Sequence, residues 1–500
     1  MSRAADSTMR RMTLKICLIG SEVAPFSKTG GLADVCGALT KYLQAEGHEV
    51  RVFTPLYSAI DPGMLEQELV EGLQDLPLEF GARRYRYSVR IARLPGTRAH
   101  LYFIDCPALY ARESIYTADA DEHVRFIALT RAAIECCQRM GFSPHILHAH
   151  DWHAAFAPLY LKVAYQWDAL FKATRSVLTI HNIGYQGIFA ASAVADVGLG
   201  ARSDRLHQDD LRAGHINALK HGILYADAIT TVSPTYAREI TTAEYGMGLQ
   251  EVLRARSADL SGILNGADYD EWDPRKDRYL PEHYDVAHLQ TKLALRQRLL
   301  KRFKLSLGRR APLLGFVSRM ASQKGFDITF DVLPRALEAS GCALIGLGSG
   351  EARYEDYFAQ LQQRFPGRVF FHRGYSEELA HWIEAASDIF LMPSLYEPCG
   401  LNQIYSLRYG TVPLVRRTGG LADTVQQYER STRRGNGILF DEFAPAAFAA
   451  ALDEALALYK QRDHWHALVA NGMREDFSWG RQTKLFVELY ERLARSATAA

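Results

Sequence analysis

The sequence predicts an α/β protein made of two parallel-sheet halves, and three features of the chain predict it. Short apolar, β-rich runs alternate with amphipathic or alanine-rich stretches almost throughout; the pattern restarts near residue 313; and Thr-Gly-Gly-Leu-Ala-Asp at 29–34 recurs letter for letter at 418–423. In the first half the strands are expected at 14–20, 50–54, 101–105, 146–150, 176–181 and 228–233, with helices such as 33–46 and 153–165 between them. In the second half they are expected at 313–318, 343–347, 369–373, 389–393, 412–415 and 437–440. Runs of this kind, apolar at every position and separated by helices, belong to parallel sheets covered on both faces. Twelve such strands exceed one ordinary sheet. Residues 261–277, rich in Gly, Asn, Asp and Pro, are therefore read as the join between two Rossmann-like domains. A final helix is expected over 479–495, followed by a disordered tail of small residues.

At 500 residues the chain is too long for one growing core, so two or three domains are the expectation. Lys and Arg number 58 against 57 Asp and Glu, for a net charge of +1, so no global field draws it to nucleic acid or an anionic membrane. Any anion must be held by a local cluster. The seven cysteines are scattered and form no C-x-x-C pair, which fits a reducing cytoplasm rather than a disulfide framework or zinc ribbon. The start, 1–11, is basic, but the apolar run at 14–19 is too short for a signal-peptide core or a membrane span and reads as the first strand.

Five segments carry chemistry. Ser27-Lys-Thr-Gly-Gly-Leu32 follows a strand and precedes a helix, where glycine backbone and a helix N-terminus accept phosphate, with Lys28 as countercharge. Neither a Walker loop nor a dinucleotide fingerprint is present. The exact second copy, again behind a basic residue (Arg417), argues that two similar domains each present such a turn, both facing one cleft. Arg319 and Lys324 lie five apart in a turn directly off a strand, and a planar fork beside a point charge suits a diphosphate. Glu397 precedes the helix that starts at Asn402; it either accepts sugar hydroxyls or caps that helix. Cys399, with no His–Asn partner nearby, reads as a small buried residue. Finally, His148-Ala-His-Asp-Trp-His153 and His181-Asn-Ile-Gly-Tyr-Gln-Gly187 both follow strands. Three histidines in six residues resemble a metal site. Yet only His148 and His150 share a strand face and no H-E-x-x-H occurs, so aromatic and amide groups for carbohydrate are the preferred reading. Asp119–Asp121 and Asp268–Asp270 could hold Mn²⁺ on a diphosphate, but neither follows a strong strand.

Taken in order, K-T-G-G-L-A-D, H-A-H-D-W-H, H-N-I-x-Y-Q-G, L-N-G-x-D, S-R-x-x-S-Q-K-G, E-P-C-G-L and R-R-T-G-G-L-A-D-T-V resemble the bacterial glycogen synthase and plant starch synthase family over nearly the whole chain. The resemblance implies a GT-B fold, two Rossmann-like domains facing a central cleft. Residues 1–260 would form the acceptor side, 261–478 the nucleotide-sugar side, and 479–500 a helix returning to the first domain. It implies retaining transfer of glucose from ADP-glucose to the non-reducing end of an α-1,4-glucan (glycogen), with no metal or other cofactor. Arg319 and Lys324 would grip the donor diphosphate together with Gly30, Gly31, Gly400 and the amides of Leu401 and Asn402. His181 and Glu397 would contact the transferred glucose, Asp34, Asn182 and Asn265 would line its pocket, and Tyr375 would stack on the base. Two positions depart from the family pattern: Gly184 stands where Ala is usual and Asn402 where Thr is usual.

A retaining enzyme with a covalent intermediate needs a carboxylate nucleophile with a partner ~5 Å away, and these motifs contain no unambiguous pair. A front-face route, with the departing phosphate helping to deprotonate the acceptor, is therefore preferred. Rival readings are weaker. A lipid-glycosylating or sucrose-type transferase would share the fold, but no basic amphipathic docking face is evident. An oxidoreductase would need the missing dinucleotide fingerprint, and a non-catalytic binding protein would not need the basic pair and Glu397.

Overall fold

The computed structural model describes residues 12–66, 69–308 and 310–498. The basic start at 1–11 lies outside them. The chain divides into two compact units. The first runs to Thr231, takes Ile240–Ile263 and takes up the chain again from Gln482; the second holds Val232–Glu239 and Leu264–Arg481. The short excursion at Val232–Glu239 has a hydrogen-bonding reason. Ser233 Oγ donates to the Pro398 carbonyl at 2.6 Å, and the Thr235 N–H and hydroxyl both donate to the Asp423 carboxylate at 2.7 Å. Glu239 accepts from the Thr418 hydroxyl at 3.0 Å and the Gly419 N–H at 2.9 Å.

The first unit's sheet runs, in spatial order, Leu260–Gly262, Ala228–Thr231, Arg175–Ile180, Ile146–His150, Lys15–Ile19, Glu49–Pro55, His100–Asp105, Arg83–Arg93 and Leu76–Phe80. All neighbours are parallel except the last two strands, which pair antiparallel with each other and, through Arg83–Arg93, with His100–Asp105. Six of the parallel strands are the apolar runs expected from the sequence, and Ile146–His150 is buried at every position. The seventh, Leu260–Gly262, was not expected, because it is three half-buried residues that open the stretch read as a linker. The antiparallel hairpin was not expected. Leu76–Phe80 buries only alternate residues, and Arg83–Arg93 (RRYRYSVRIAR) is half solvated, so neither reads as a continuous apolar run. The stretch expected as one helix over 153–165 is two, Asp151–Ala154 and Phe156–Val163.

The second unit's sheet is wholly parallel, in the order Val369–Arg373, Ala343–Gly348, Leu313–Val317, Ile389–Met392, Val412–Arg416, Ile438–Phe440. In chain order these are strands 3-2-1-4-5-6, the doubly wound arrangement whose topological switch lies between the first and fourth. The core is aliphatic and aromatic, with Leu313, Leu314, Phe316, Ile345, Phe358, Ile389 and Phe390 all inaccessible to solvent or nearly so. Each such side chain contributes roughly 1.5–3 kcal/mol by leaving water.

The last helix, Trp479–Thr498, begins in the second unit and continues in the first. Thr483, Phe486, Val487, Tyr490 and Ala494 are buried, at the three- and four-residue spacing of one helix face. The helix includes Ser496 to Thr498, three residues of the tail expected to be disordered. Alanine and the preceding amphipathic stripe carry the helix through them. Residues 499–500 lie outside the described chain.

Candidate functional site

In the first unit the expected residues gather where the central strands end at their carboxyl side, beside the switch between Lys15–Ile19 and Ile146–His150. His181 and Asn182 follow Arg175–Ile180 directly. Their N–H groups donate to Asp151 Oδ1 at 2.7 and 3.4 Å, and His181 Nε2 meets His150 Nδ1 at 3.0 Å. With Nε2 engaged, His181 Nδ1 is the nitrogen left for a ligand. The Gly184 N–H donates to Asn182 Oδ1 at 3.0 Å, so the departure at 184 sits in a turn pinned by its neighbour's side chain. Burial holds His148 and His181 well below the ordinary imidazole range, and it pushes His150 and His153 down to about 3. All four rings are neutral at pH 7.

Asp151 lies inside the His148–His153 motif, where the sequence alone gives it no role. It is buried, and desolvation pushes its carboxyl up to about 7 despite the two N–H donors, with Glu22 nearby acting in the same direction. Glu22, also missed, is buried and raised by the same cause; it accepts from the Thr29 N–H and, at 3.0 Å, from the Thr29 hydroxyl. The signal available in the sequence was an acidic residue just past a strand end, twice. Lys28 and Asp34 pair with each other at 2.8 Å, so the lysine expected to offset phosphate already has a countercharge. Gly30 and Gly31 stand open: a β-carbon at either would meet nothing within 4 Å.

In the second unit the expected residues flank the switch between Leu313–Val317 and Ile389–Met392. Arg319 Nη2 donates to Gln323 Oε1 at 3.2 Å, and the Leu395 N–H donates to the Gln323 carbonyl at 2.9 Å, which lays the basic turn along the Ser394–Glu397 loop. Gln323, buried, is a residue the sequence reading passed over. Lys324 Nζ donates to Glu397 Oε2 at 2.6 Å, and Ser394 Oγ donates to the same oxygen at 3.0 Å. A carboxylate so placed is held by Lys324 and Ser394 ahead of helix Asn402–Tyr409, whose N-cap residue is Leu401. Gly400 adopts φ 69°, which turns the chain into that helix. Asn402 donates through Nδ2 to the Val317 carbonyl at 2.6 Å, tying the helix start to the strand that leads to Arg319. Asn265 is buried, and its backbone faces the Cys399 thiol, which burial pushes up to about 12; that cysteine is no nucleophile. Tyr375 follows Val369–Arg373 with 69% of its surface exposed, a free ring face at a strand's carboxyl end.

The two Thr-Gly-Gly-Leu-Ala-Asp turns differ. Both threonines bond a glutamate, Thr29 to Glu22 and Thr418 to Glu239. The second glycine pair, however, is packed: a β-carbon on Gly419 would lie 1.9 Å from the Glu397 carbonyl oxygen and one on Gly420 2.1 Å from that of Cys399. Of the two turns expected to be open, the first is open and the second is not; the second copy instead packs against the backbone of the Glu397 loop. Of the acidic pairs, Asp119 and Asp121 both bind Arg112, the latter at 2.7 Å, and Asp270 binds Lys276 at 2.8 Å. His148 has both nitrogens engaged, by Tyr490 and Thr179, each at 2.6 Å. Among the described residues no three His, Cys, Asp or Glu side chains converge as a metal site, and no helix is long and apolar enough to cross a membrane.

The sequence profile of the starch synthase catalytic domain matches residues 15–255, and that of glycosyl transferases group 1 matches 297–468. The chain is 43% identical to a glycogen synthase of Myxococcus xanthus over 485 residues, covering 96% of this chain and 99% of that one. It is 42% identical to a glycogen synthase of Anaeromyxobacter dehalogenans over 486 residues, covering 96% and 100%. Among solved structures, the catalytic domain of starch synthase IV from Arabidopsis thaliana, bound to ADP and acarbose, superposes with a TM-score of 0.88 at 34% identity, covering 97% of this chain and all of that one.

Proposed function

The chain belongs to the glycogen and starch synthase family and is a GT-B glucosyltransferase of glycogen synthesis; we propose that it takes ADP-glucose as donor and extends the non-reducing end of an α-1,4-glucan with retention, using the residues gathered at its two strand switches. The observation that carries this reading is the second unit's cluster. A guanidinium, an ammonium and a helix N-terminus surround the carboxyl end of Leu313–Val317, with Glu397 held 2.6 Å from Lys324. Arg319, Lys324, Gly400 and the Leu401 and Asn402 amides oppose the charge that grows on the departing diphosphate, which lowers the barrier more than it tightens ground-state binding. Glu397 faces the transferred glucose, with Asn265 lining the pocket and Tyr375 stacking on the adenine. In the first unit His181, through Nδ1, and Asn182 contact sugar hydroxyls, and the open backbone at Gly30 and Gly31 receives the diphosphate beside the Lys28–Asp34 pair. The step proceeds on the front face: the departing phosphate accepts the acceptor hydroxyl's proton as the new glycosidic bond forms. We assign no metal or other cofactor to it, since Arg112 already pairs with both Asp119 and Asp121, and Lys276 with Asp270. The seven free thiols fit the cytoplasm as its compartment, and neither nucleic acid nor membrane is assigned as a partner.

Glucosyl transfer to glycogen, measured separately with ADP-glucose and UDP-glucose before and after exhaustive EDTA treatment, tests this. Transfer from ADP-glucose that survives EDTA is expected; collapse rescued by Mn²⁺ would overturn the metal-free step. Arg319→Ala should lose ~10- to 100-fold, mainly in kcat, because a hydrogen bond to a charged group is worth roughly 1.5–3 kcal/mol. Wild-type kinetics for that variant would put the phosphate site elsewhere.

A further inference from the structure

His181 is held by a chain of contacts that ends on the last helix. Its ring bonds His150 Nδ1 at 3.0 Å, but His150 Nε2 is buried with no hydrogen-bond partner among the described residues. The orientation of His150 therefore rests on its bond to His181 and on its neighbour His148, whose ring lies 4.1 Å away, centroid to centroid. His148 is the fixed member. Tyr490 Oη meets Nδ1 and Thr179 Oγ1 meets Nε2, each at 2.6 Å, and Thr179 is itself bonded to Thr230 at 2.5 Å. Tyr490, Thr179, Thr230, His148 and His150 are all buried. A neutral imidazole offers one donor and one acceptor, so one hydroxyl must donate and the other accept, which fixes both the tautomer and the plane of His148.

We infer that Tyr490, in the returning helix, is a positioning residue for glucosyl transfer: its hydroxyl locks His148, on which His150 rests, and so sets where His181 presents Nδ1 to the sugar. The inference rests on the proposal that His181 contacts the transferred glucose. It gives the last helix a part in the chemistry beyond packing, since Phe486 and Val487 on the same face supply apolar contact without it.

Tyr490→Phe keeps the ring and removes the hydroxyl. Loss of one neutral hydrogen bond predicts a fall of about 3- to 10-fold in kcat with little change in KM for glucan. It also predicts altered ¹⁵N shifts of the His148, His150 and His181 rings, which a purely packing role would not move. Thr179→Val removes the partner on the other nitrogen and should act in the same direction, so the test stands if one variant folds poorly. In a His181→Ala background Tyr490→Phe should cost nothing further in kcat. A Tyr490→Phe enzyme with a lowered melting temperature but wild-type kcat and unshifted ring nitrogens overturns the inference alone. Normal turnover by His181→Ala itself overturns the sugar contact and this inference with it.

Discussion

Asp151 sits at φ 55°, in the left-handed region that non-glycine residues seldom adopt, with its carboxyl under the His181 and Asn182 amides. Its pKa, raised to about 7 by burial, has a definite consequence for stability. An acid whose folded pKa exceeds its unfolded value, about 3.8 here, stabilises the fold fully below the unfolded pKa. That contribution is lost as the pH rises through the folded one. Asp151→Asn keeps an acceptor oxygen for both amides and removes the charge. The variant should therefore melt higher than wild type above pH 7, by an amount on the order of 2–4 kcal/mol at pH 8, and the gain should shrink as the pH falls toward 3.8. Calorimetry across pH 4–9 checks this; a gap that stays constant with pH would show that the carboxyl is ionised throughout. The sequence displayed Asp151 inside its motif, but desolvation is a property of the surrounding packing and has no local signature.

At the scale of elements, the two identical turns separate what glycine does for folding from what it does for a ligand. Gly419, at φ 45°, and Gly420 press against the backbone of Glu397 and Cys399, so a methyl group there must displace main chain. Gly419→Ala and Gly420→Ala should each cost at least ~3 kcal/mol of stability. Gly30→Ala and Gly31→Ala meet open space; Gly31 opens a helix, where alanine is favoured by ~0.5–1 kcal/mol. Those variants should melt at or slightly above the wild-type temperature yet lose about 10-fold in turnover if diphosphate approaches that backbone. Thermal melts alongside kcat decide it: equal destabilisation by all four would remove the distinction between the copies. Asn402 belongs to this scale too. Its bond to Val317 fastens a helix start to a strand end, a tether that a shorter side chain at 402 would not make in the same way.

Over the whole molecule, all seven cysteines are free and buried, and desolvation raises several of their thiols, Cys106 to about 11 and Cys399 to about 12. The native protein should label with a thiol reagent only at the rate of opening, and all seven should react at once in denaturant. Rapid native labelling of even one thiol would mean that its surroundings are looser than described. The sequence by itself determined all but one of the parallel strands, because residues buried on both faces of a sheet must be apolar at nearly every position; their spatial order came from the structure. The sequence also determined the family, because Arg319, Lys324, Glu397 and His181 stand in ordered motifs at strand ends. Only the tertiary structure decided the rest. The hairpin of Leu76–Phe80 and Arg83–Arg93 is half solvated and carries no apolar run. The roles of the two glycine turns depend on what packs against them, and the raised carboxyl of Asp151 depends on burial. The link from Tyr490 to His148 joins residues 342 positions apart. No spacing rule reaches that far; only folding brings such groups within a hydrogen bond.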